Sequence, residues 1–336
     1  MSVRFFRTTG FLFLLFFLTA WAVPVGAAND GSGGLQTWND GPAKRAIMDF
    51  VAQSTDPANP AYLPPHHRVA VFDNDGTLLP EKPYVQIDFA VRRLRDMANA
   101  STDPNIKETE PYKTALSNDI SHMEKVGGRF LLELLLTTHG NMEKDDLAPL
   151  VAEFMRSVKH PLLGKPYADL AYKPMVDLLE YLRANGFETY ICTGGMTDFV
   201  RGYSFDLYGI PPQNIIGTTL RTVYTEKDGR VVLVVKPELD VYNDKKYKPV
   251  AIDRHLGVRP AITVGNVYTG GDIAMLSYGA SAKPSLQLLI NHDDAARELA
   301  YAEENGASLD AAKQQGWVVV SMKNDWKTVF AESKGK

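Results

Sequence analysis

Two aspartates, Asp73 and Asp75, stand two positions apart in FDNDGTL, directly after the apolar run Val69–Phe72 and just before Gly76. Such a pair can hold a cation, shape a turn or do chemistry. As chemistry, one carboxylate attacks a phosphoryl group, while the second protonates the leaving oxygen and later activates water. A phosphate repels a carboxylate nucleophile, so the reaction also needs a metal and a cation. Lys248 can be that cation, and a magnesium ion, which takes oxygen ligands, can be held by Asp73, Asn266 and Asp272. Thr193, Gly194 and Gly195 precede a helical stretch, 196–208, whose N-terminus would favour an anion.

Readings without chemistry compete for the acid pair. An EF-hand loop wants a third acid before its glycine, a distal Glu and flanking helices, whereas strand formers precede Asp73. A hairpin through Asn74–Gly76 needs a second strand, and Pro80 and Pro83 break that run. A structural pair with satisfied hydrogen bonds stays open.

The elements that must position these residues follow from apolar patterning. Strand-length runs recur at residues 68–73, 189–192, 215–220, 261–265, 286–291 and 317–322, most of them followed by helix-like segments. That alternation predicts an α/β fold, a Rossmann-like doubly wound parallel sheet, whose ligands bind past the carboxyl ends of the strands. The segment 174–186 begins with Pro174, repeats apolar residues at helical spacing and stops at Gly186. RTVYTEKDGRVVLVVKP, residues 221–237, reads as an inserted β-hairpin turning at Asp228–Gly229. Between the first two strands lie about a hundred residues of helical pattern, including Phe130, Leu131, Leu134 and Leu135, read as an inserted helical cap over residues 88–173. Residues 42–87 and 174–336 then form the core.

Composition sets the wider limits. The first 28 residues carry Arg4 and Arg7, an apolar stretch from Phe11 to Val23, then Pro24 and small residues ending at Ala28, the pattern of a cleaved signal peptide. The stretch is short for a membrane span of roughly 20 residues. Export to a periplasmic or secreted location is expected, with no membrane attachment after cleavage. Residues 29–41 read as a flexible tether. Cleavage would remove two arginines and no acid, making the net charge of −4 more negative, so no basic nucleic-acid surface is implied. The single cysteine, Cys192, excludes an intramolecular disulfide framework and leaves stability to an apolar core.

The segments FDNDGTL, CTGGMTDFVR, YKPVAIDRHLG and VGNVYTGGDIAML resemble the four ordered motifs of the haloacid dehalogenase-like hydrolases, nearest their phosphoserine-phosphatase-like branch. The later WVVVSMKNDWKTVF is similar to the ending of exported members. The resemblance implies a capped Rossmann-like core, magnesium dependence, a small phosphate ester as substrate and an aspartyl-phosphate intermediate. It makes Asp73 the nucleophile and Asp75 the acid/base. Thr193, Gly194, Gly195 and Lys248 become phosphate ligands, with Asp73, Asp75, Asn266 and Asp272 around the metal. The fourth motif departs from the pattern, because five residues, Val267 to Gly271, separate Asn266 from Asp272. The longer loop and uncharged Asn266 would weaken the ion's hold and could carry Asp272 away from it.

Other candidates are Glu81, near where that branch places a substrate-reading acid, Arg201 on the phosphate-facing helix, and His292 beside Asp293 and Asp294. Arg201 could instead form a structural ion pair, and the acidic turn after His292 could cap a helix over residues 295–301. Cys192 reads as a small buried residue, and His66–His67 lie at the far end of the sheet. The expected function is a magnesium-dependent phosphomonoesterase. A non-catalytic phosphoester-binding protein on the same fold is the alternative. Carbon–halogen hydrolysis fits less well, because it leaves Asp75 and the Thr-Gly-Gly without a task.

Overall fold

A computed structural model describes residues 34–117 and 127–331, with residues 127–131 described by backbone alone. The signal-like residues 1–28, residues 29–33 and the side chains of Phe130 and Leu131 lie outside the described residues. No described helix is long and apolar enough to cross a membrane.

The strands are β1 Val69–Phe72, β2 Met142–Glu143, β3 Glu188–Met196, β4 Ile215–Lys227, β5 Arg230–Val241, β6 Ile262–Asn266, β7 Leu286–Asn291 and β8 Val318–Ser321. Among the described residues they form one sheet in the order β2-β5-β4-β3-β1-β6-β7-β8. From β4 to β8 every neighbouring pair is parallel, and β5 and β2 join antiparallel at one edge. The chain winds outward from β1 through β3 to β4, then returns to the other side of β1 for β6, β7 and β8. The sheet is therefore doubly wound, and its switch point lies between β1 and β6.

Strand β1 is apolar throughout because helices cover both faces of the sheet. Ala70 and Phe72 pack with α1 (Pro42–Thr55) and α6 (Lys173–Ala184) through Ile47, Val51, Leu178 and Leu182. Val69 and Val71 pack the other way, onto Ile252 of α9 (Tyr247–Leu256) and Met275 of α10 (Ile273–Ala280). The hairpin forms where the sequence places it, with Lys227 paired to Arg230 and both Asp228 and Gly229 at positive φ, as a two-residue turn requires.

The block between β1 and β3 holds α2 (Val85–Ala100), α3 (Tyr112–Leu116), α4 (Gly127–His139) and α5 (Leu147–Ser157). Ala90, Val91, Leu94, Ala115 and Leu134 give it a small apolar cluster of its own. Two features differ from the expectation of an uninterrupted helical cap. Strand β2 lies inside the block and pairs Met142 with Val235 of β5. Val151, Phe154, Tyr167 and Leu170 also join the main core, so packing does not divide at residue 173.

Two further expectations are corrected. Residues 34–41 are not a tether, because Leu35 and Trp38 are buried. Trp38 forms a bridge with Trp326, and its indole N–H donates to the Pro174 carbonyl at 2.8 Å. Residues 295–301 are not helical, since the polar side chains there bond to distant segments. If the stretch around Trp38 is structural, Trp38→Ala should lower the unfolding free energy by about 3–5 kcal/mol in urea titrations, the usual cost of emptying a large aromatic site.

Candidate active site

Asp73 is the first residue past β1, and its backbone N–H donates to the Val264 carbonyl of β6 at 2.8 Å. The switch point thus aims its side chain into the crevice. Lys248, in the first turn of α9, places Nζ 2.6 Å from Asp73 Oδ1 and 2.6 Å from Asp272 Oδ1. The other Asp272 oxygen accepts the Asn266 backbone N–H at 2.9 Å. The longer fourth-motif loop does not carry Asp272 away. Thr269 and Gly270 take positive φ and fold the loop back, and Gly265 leaves the room, because a Cβ there would lie 2.5 Å from Asp272 Cβ. Both Asp272 oxygens are engaged within the chain, one by the Lys248 ammonium and one by the Asn266 N–H.

Asp75 lies on the tight loop after Asp73, where Leu78 N–H donates to the Asn74 carbonyl and Gly76 N–H to the Leu79 carbonyl, each at 2.8 Å. Gly76 has φ +71°, and an added Cβ would sit 2.4 Å from Glu81 Oε2. Glu81 is itself buried beside the pair.

The Thr-Gly-Gly segment differs from expectation in its secondary structure. Strand β3 continues through Met196, with a register shift against β4 between Cys192 and Met196, and the helical stretch breaks into α7 (Thr197–Arg201) and α8 (Ser204–Tyr208). The segment expected to bind an anion is therefore a strand irregularity rather than the mouth of a long helix. Thr193 Oγ1 accepts the Gly195 N–H at 3.0 Å, and Asn243 Nδ2 donates to the Thr193 carbonyl at 2.9 Å. From α2, Gln86 Oε1 accepts the Met196 N–H at 3.0 Å, and Gln86 Nε2 lies 3.2 Å from His139 Nε2.

Asp73, Asp75, Glu81, Thr193, Gly194, Gly195, Lys248, Asn266 and Asp272 line one pocket of about 340 Å³, together with Tyr84, Gln86, Leu132, Leu135, Tyr242, Asp244 and Tyr268. Four separated segments of sequence thus converge as expected. Arg201 does not join them. It pairs with Asp198 at 3.0 Å and donates to the Pro212 carbonyl. His292 is buried behind the Asp73–Leu79 loop and bonds to the Gly76 carbonyl. Burial pushes the Cys192 thiol up to about 12, which leaves it no role as a nucleophile. Gln86, His139, Asn243, Tyr84, Tyr268 and Asp244 were not singled out from the sequence. No local motif marks them; Gln86, His139 and Asn243 bond to partners far away in the chain, and Tyr84 packs against Tyr268.

Burial dominates the electrostatics of the pocket, and too little positive charge stands by to offset it. Burial, then the adjacent Asp272, pushes the Asp73 carboxyl up to about 8, against the pull of Lys248. Two contacts at 2.6 Å would ordinarily favour ionised acids, yet one ammonium is shared between two of them. Burial raises Asp75 to about 6, and burial with Asp75 and Asp73 nearby holds Glu81 well above the usual carboxylate range. For Lys248 burial acts downward, but Asp272 and Asp73 outweigh it and keep the ammonium firmly charged.

The oxygens needed to hold a cation are present. Asn266 Nδ2 is approached by Asp73 Oδ2 at 3.3 Å, the Asp75 carbonyl at 2.8 Å and Thr77 Oγ1 at 3.4 Å, while its buried Oδ1 has no partner. Acceptors converging on one amide whose own oxygen is stranded are what a divalent cation would satisfy, with the amide turned to present oxygen. Among the described residues no cluster of three or more His, Cys, Asp or Glu forms a metal site. The set is one carboxylate with main-chain, amide and hydroxyl oxygens, which suits a hard ion.

A doubly wound sheet with acids and a lysine at its switch point defines an α/β protein whose site lies past the carboxyl ends of its strands. The family model of haloacid dehalogenase-like hydrolases matches residues 70–276, and the chain belongs to that family. Among solved structures it is similar to a conserved protein of unknown function from Anaerococcus prevotii DSM 20548, at 15% identity and TM-score 0.54, covering 87% of this chain and 96% of that one. It is also similar to a protein of unknown function from Bordetella pertussis Tohama I, at 18% identity and TM-score 0.48 over 76% and 98% of the chains. A phosphoserine phosphohydrolase-like protein from Francisella tularensis subsp. tularensis SCHU S4 matches at 17% identity and TM-score 0.39 over 75% and 94%. No curated protein matches the chain.

The burial of His139 has a measurable signature. Burial lowers His139 to about 4 from 6.5, so the folded ring stays neutral while the unfolded chain takes a proton below 6.5. The stability tied to His139 is therefore full above 6.5 and falls as pH drops toward 4. On going from pH 7 to pH 5 the protein should lose about 2 kcal/mol more unfolding free energy than His139→Gln, measured by urea titration at both values.

Proposed function

We propose that this chain is an exported, magnesium-dependent phosphomonoesterase that hydrolyses a small phosphate ester through an aspartyl-phosphate on Asp73. The observation that carries the reading is the position of Asp73. It shares one ammonium with Asp272, has Asp75 two residues on, and lies in a pocket with Thr193 and Gly194.

The substrate's phosphoryl group sits against Thr193, Gly194, Gly195 and Lys248, which bind its oxygens and orient phosphorus toward Asp73. A carboxylate oxygen of Asp73 bonds to phosphorus as the ester bond breaks, and Asp75 gives a proton to the departing alkoxide. Asp75, now ionised, takes a proton from water, whose oxygen attacks phosphorus and frees Asp73 and inorganic phosphate. A carboxyl raised to about 6 suits both halves of that task near neutral pH. Asp73, the Asp75 carbonyl and Asn266 would hold a magnesium ion, which when bound would supply the missing positive charge that favours an ionised Asp73 and offsets the phosphate.

The return of Asp272 to within 2.6 Å of Lys248 supports catalysis over a binding-only role, because the fourth motif still completes the charge cluster. Tyr84, Tyr242 and Tyr268 with Leu132 and Leu135 favour a leaving group with an apolar or aromatic part. Residues 29–336, purified with magnesium, should hydrolyse a chromogenic aryl phosphate. Chelation with EDTA should remove activity and added magnesium restore it, and Asp73→Asn should lower kcat at least about a thousandfold. Undiminished turnover in that variant would overturn the reading, while tight phosphate-ester binding without turnover would favour the binding protein.

A further inference from the structure

Behind the loop that carries the two aspartates lies a buried polar cluster that does not line the pocket. His292, at the end of β7, is fully enclosed, and its Nε2 donates to the Gly76 carbonyl at 2.7 Å. Its Nδ1 lies 3.2 Å from Glu298 Oε2, and Glu298 is also buried. The Tyr301 ring stacks on the imidazole at 4.2 Å and 18°, and the Tyr301 N–H closes back on the His292 carbonyl at 3.1 Å.

The cluster is itself anchored. Asp293 accepts from Ser321 Oγ at 2.6 Å and from the Lys323 N–H at 3.0 Å. Arg297, paired with Asp294, donates to the Trp326 carbonyl at 3.0 Å and the Met322 carbonyl at 2.6 Å. A rigid C-terminal layer therefore presents one N–H to one carbonyl of the catalytic loop.

Gly76 immediately follows Asp75, and its own N–H is already held by the Leu79 carbonyl. With the Gly76 carbonyl fixed as well, both peptide planes around a glycine at φ +71° are set, and glycine has no side chain to set them otherwise. The direction in which Asp75 leaves the loop depends on those planes.

We infer that His292, oriented by Glu298, is a positioning residue that holds the Asp75 carboxyl over the leaving oxygen. The inference rests on the reading of Asp75 as the general acid. It also yields an effect that general destabilisation would not. Protonation matters greatly for an alkyl leaving group and little for p-nitrophenolate, which departs unassisted.

The test compares kcat/KM for ethyl phosphate and p-nitrophenyl phosphate in full mature protein with magnesium. His292→Phe should lose at least about tenfold more on ethyl phosphate than on p-nitrophenyl phosphate. His292→Gln, which keeps an N–H donor, should recover most of that difference. Glu298→Gln should shift selectivity the same way by a smaller factor, and it serves if the Phe variant does not fold. Asp75→Asn is the reference. If Asp75→Asn is selective and the His292 and Glu298 variants lose equally on both substrates, or lose nothing, the positioning role is refuted while the phosphatase reading stands. If Asp75→Asn itself shows no selectivity, the general-acid assignment falls and the inference falls with it.

Discussion

Lys248 reaches two carboxylates that burial has stripped of water, and the geometry of the whole crevice depends on that contact. Asp73 comes from the end of β1, Asp272 from the loop after β6, and the ammonium from α9 on one face of the sheet. Bringing two acids together without the lysine would be strongly unfavourable, and the lysine alone in that position would be an unpaired buried charge. Each group therefore makes the others tolerable. The arrangement still lacks positive charge, which connects the raised Asp73 carboxyl to the stranded Asn266 oxygen.

The same contact explains how an unusual fourth motif can persist. Extra residues between Asn266 and Asp272 would scatter the site if the loop ran straight. Positive φ at Thr269 and Gly270 turns it, and the missing side chain at Gly265 admits the Asp272 stem against the strand. Loop length matters less than where the carboxylate ends, and Lys248 with the Asn266 N–H fixes that end.

What the sequence reveals, and what it conceals, divides along one physical line. Apolar runs mark β1, β6 and β7 because both sheet faces are covered, and those strands bring Asp73 and Asn266 to one crevice. The Asp-Gly turn is equally plain, because few residues accept its dihedrals. Features decided by remote partners are not visible locally. The Thr-Gly-Gly segment stays in a strand as an irregularity, because β4 pairs with Cys192 before it and Met196 after it, while Trp38 turns an apparent tether into core by docking beside Trp326. Residues 295–301 have a helical composition, yet Arg297 spends its hydrogen bonds on carbonyls some thirty residues away. Gln86 and His139 belong to the same class, since they matter through a backbone N–H on β3.

The stitching of β2 to β5 bears on how this molecule chooses what it admits. Met142 pairs with Val235 and Glu143 with Val234, Glu143 also meets Lys227 and Arg230 of the hairpin, and Lys144 pairs with Asp198. These contacts hold the helical roof to the wall at a point besides its chain connections. Selection would then fall to the size and contour of a standing doorway, with molecules sorted on arrival rather than engulfed and tested.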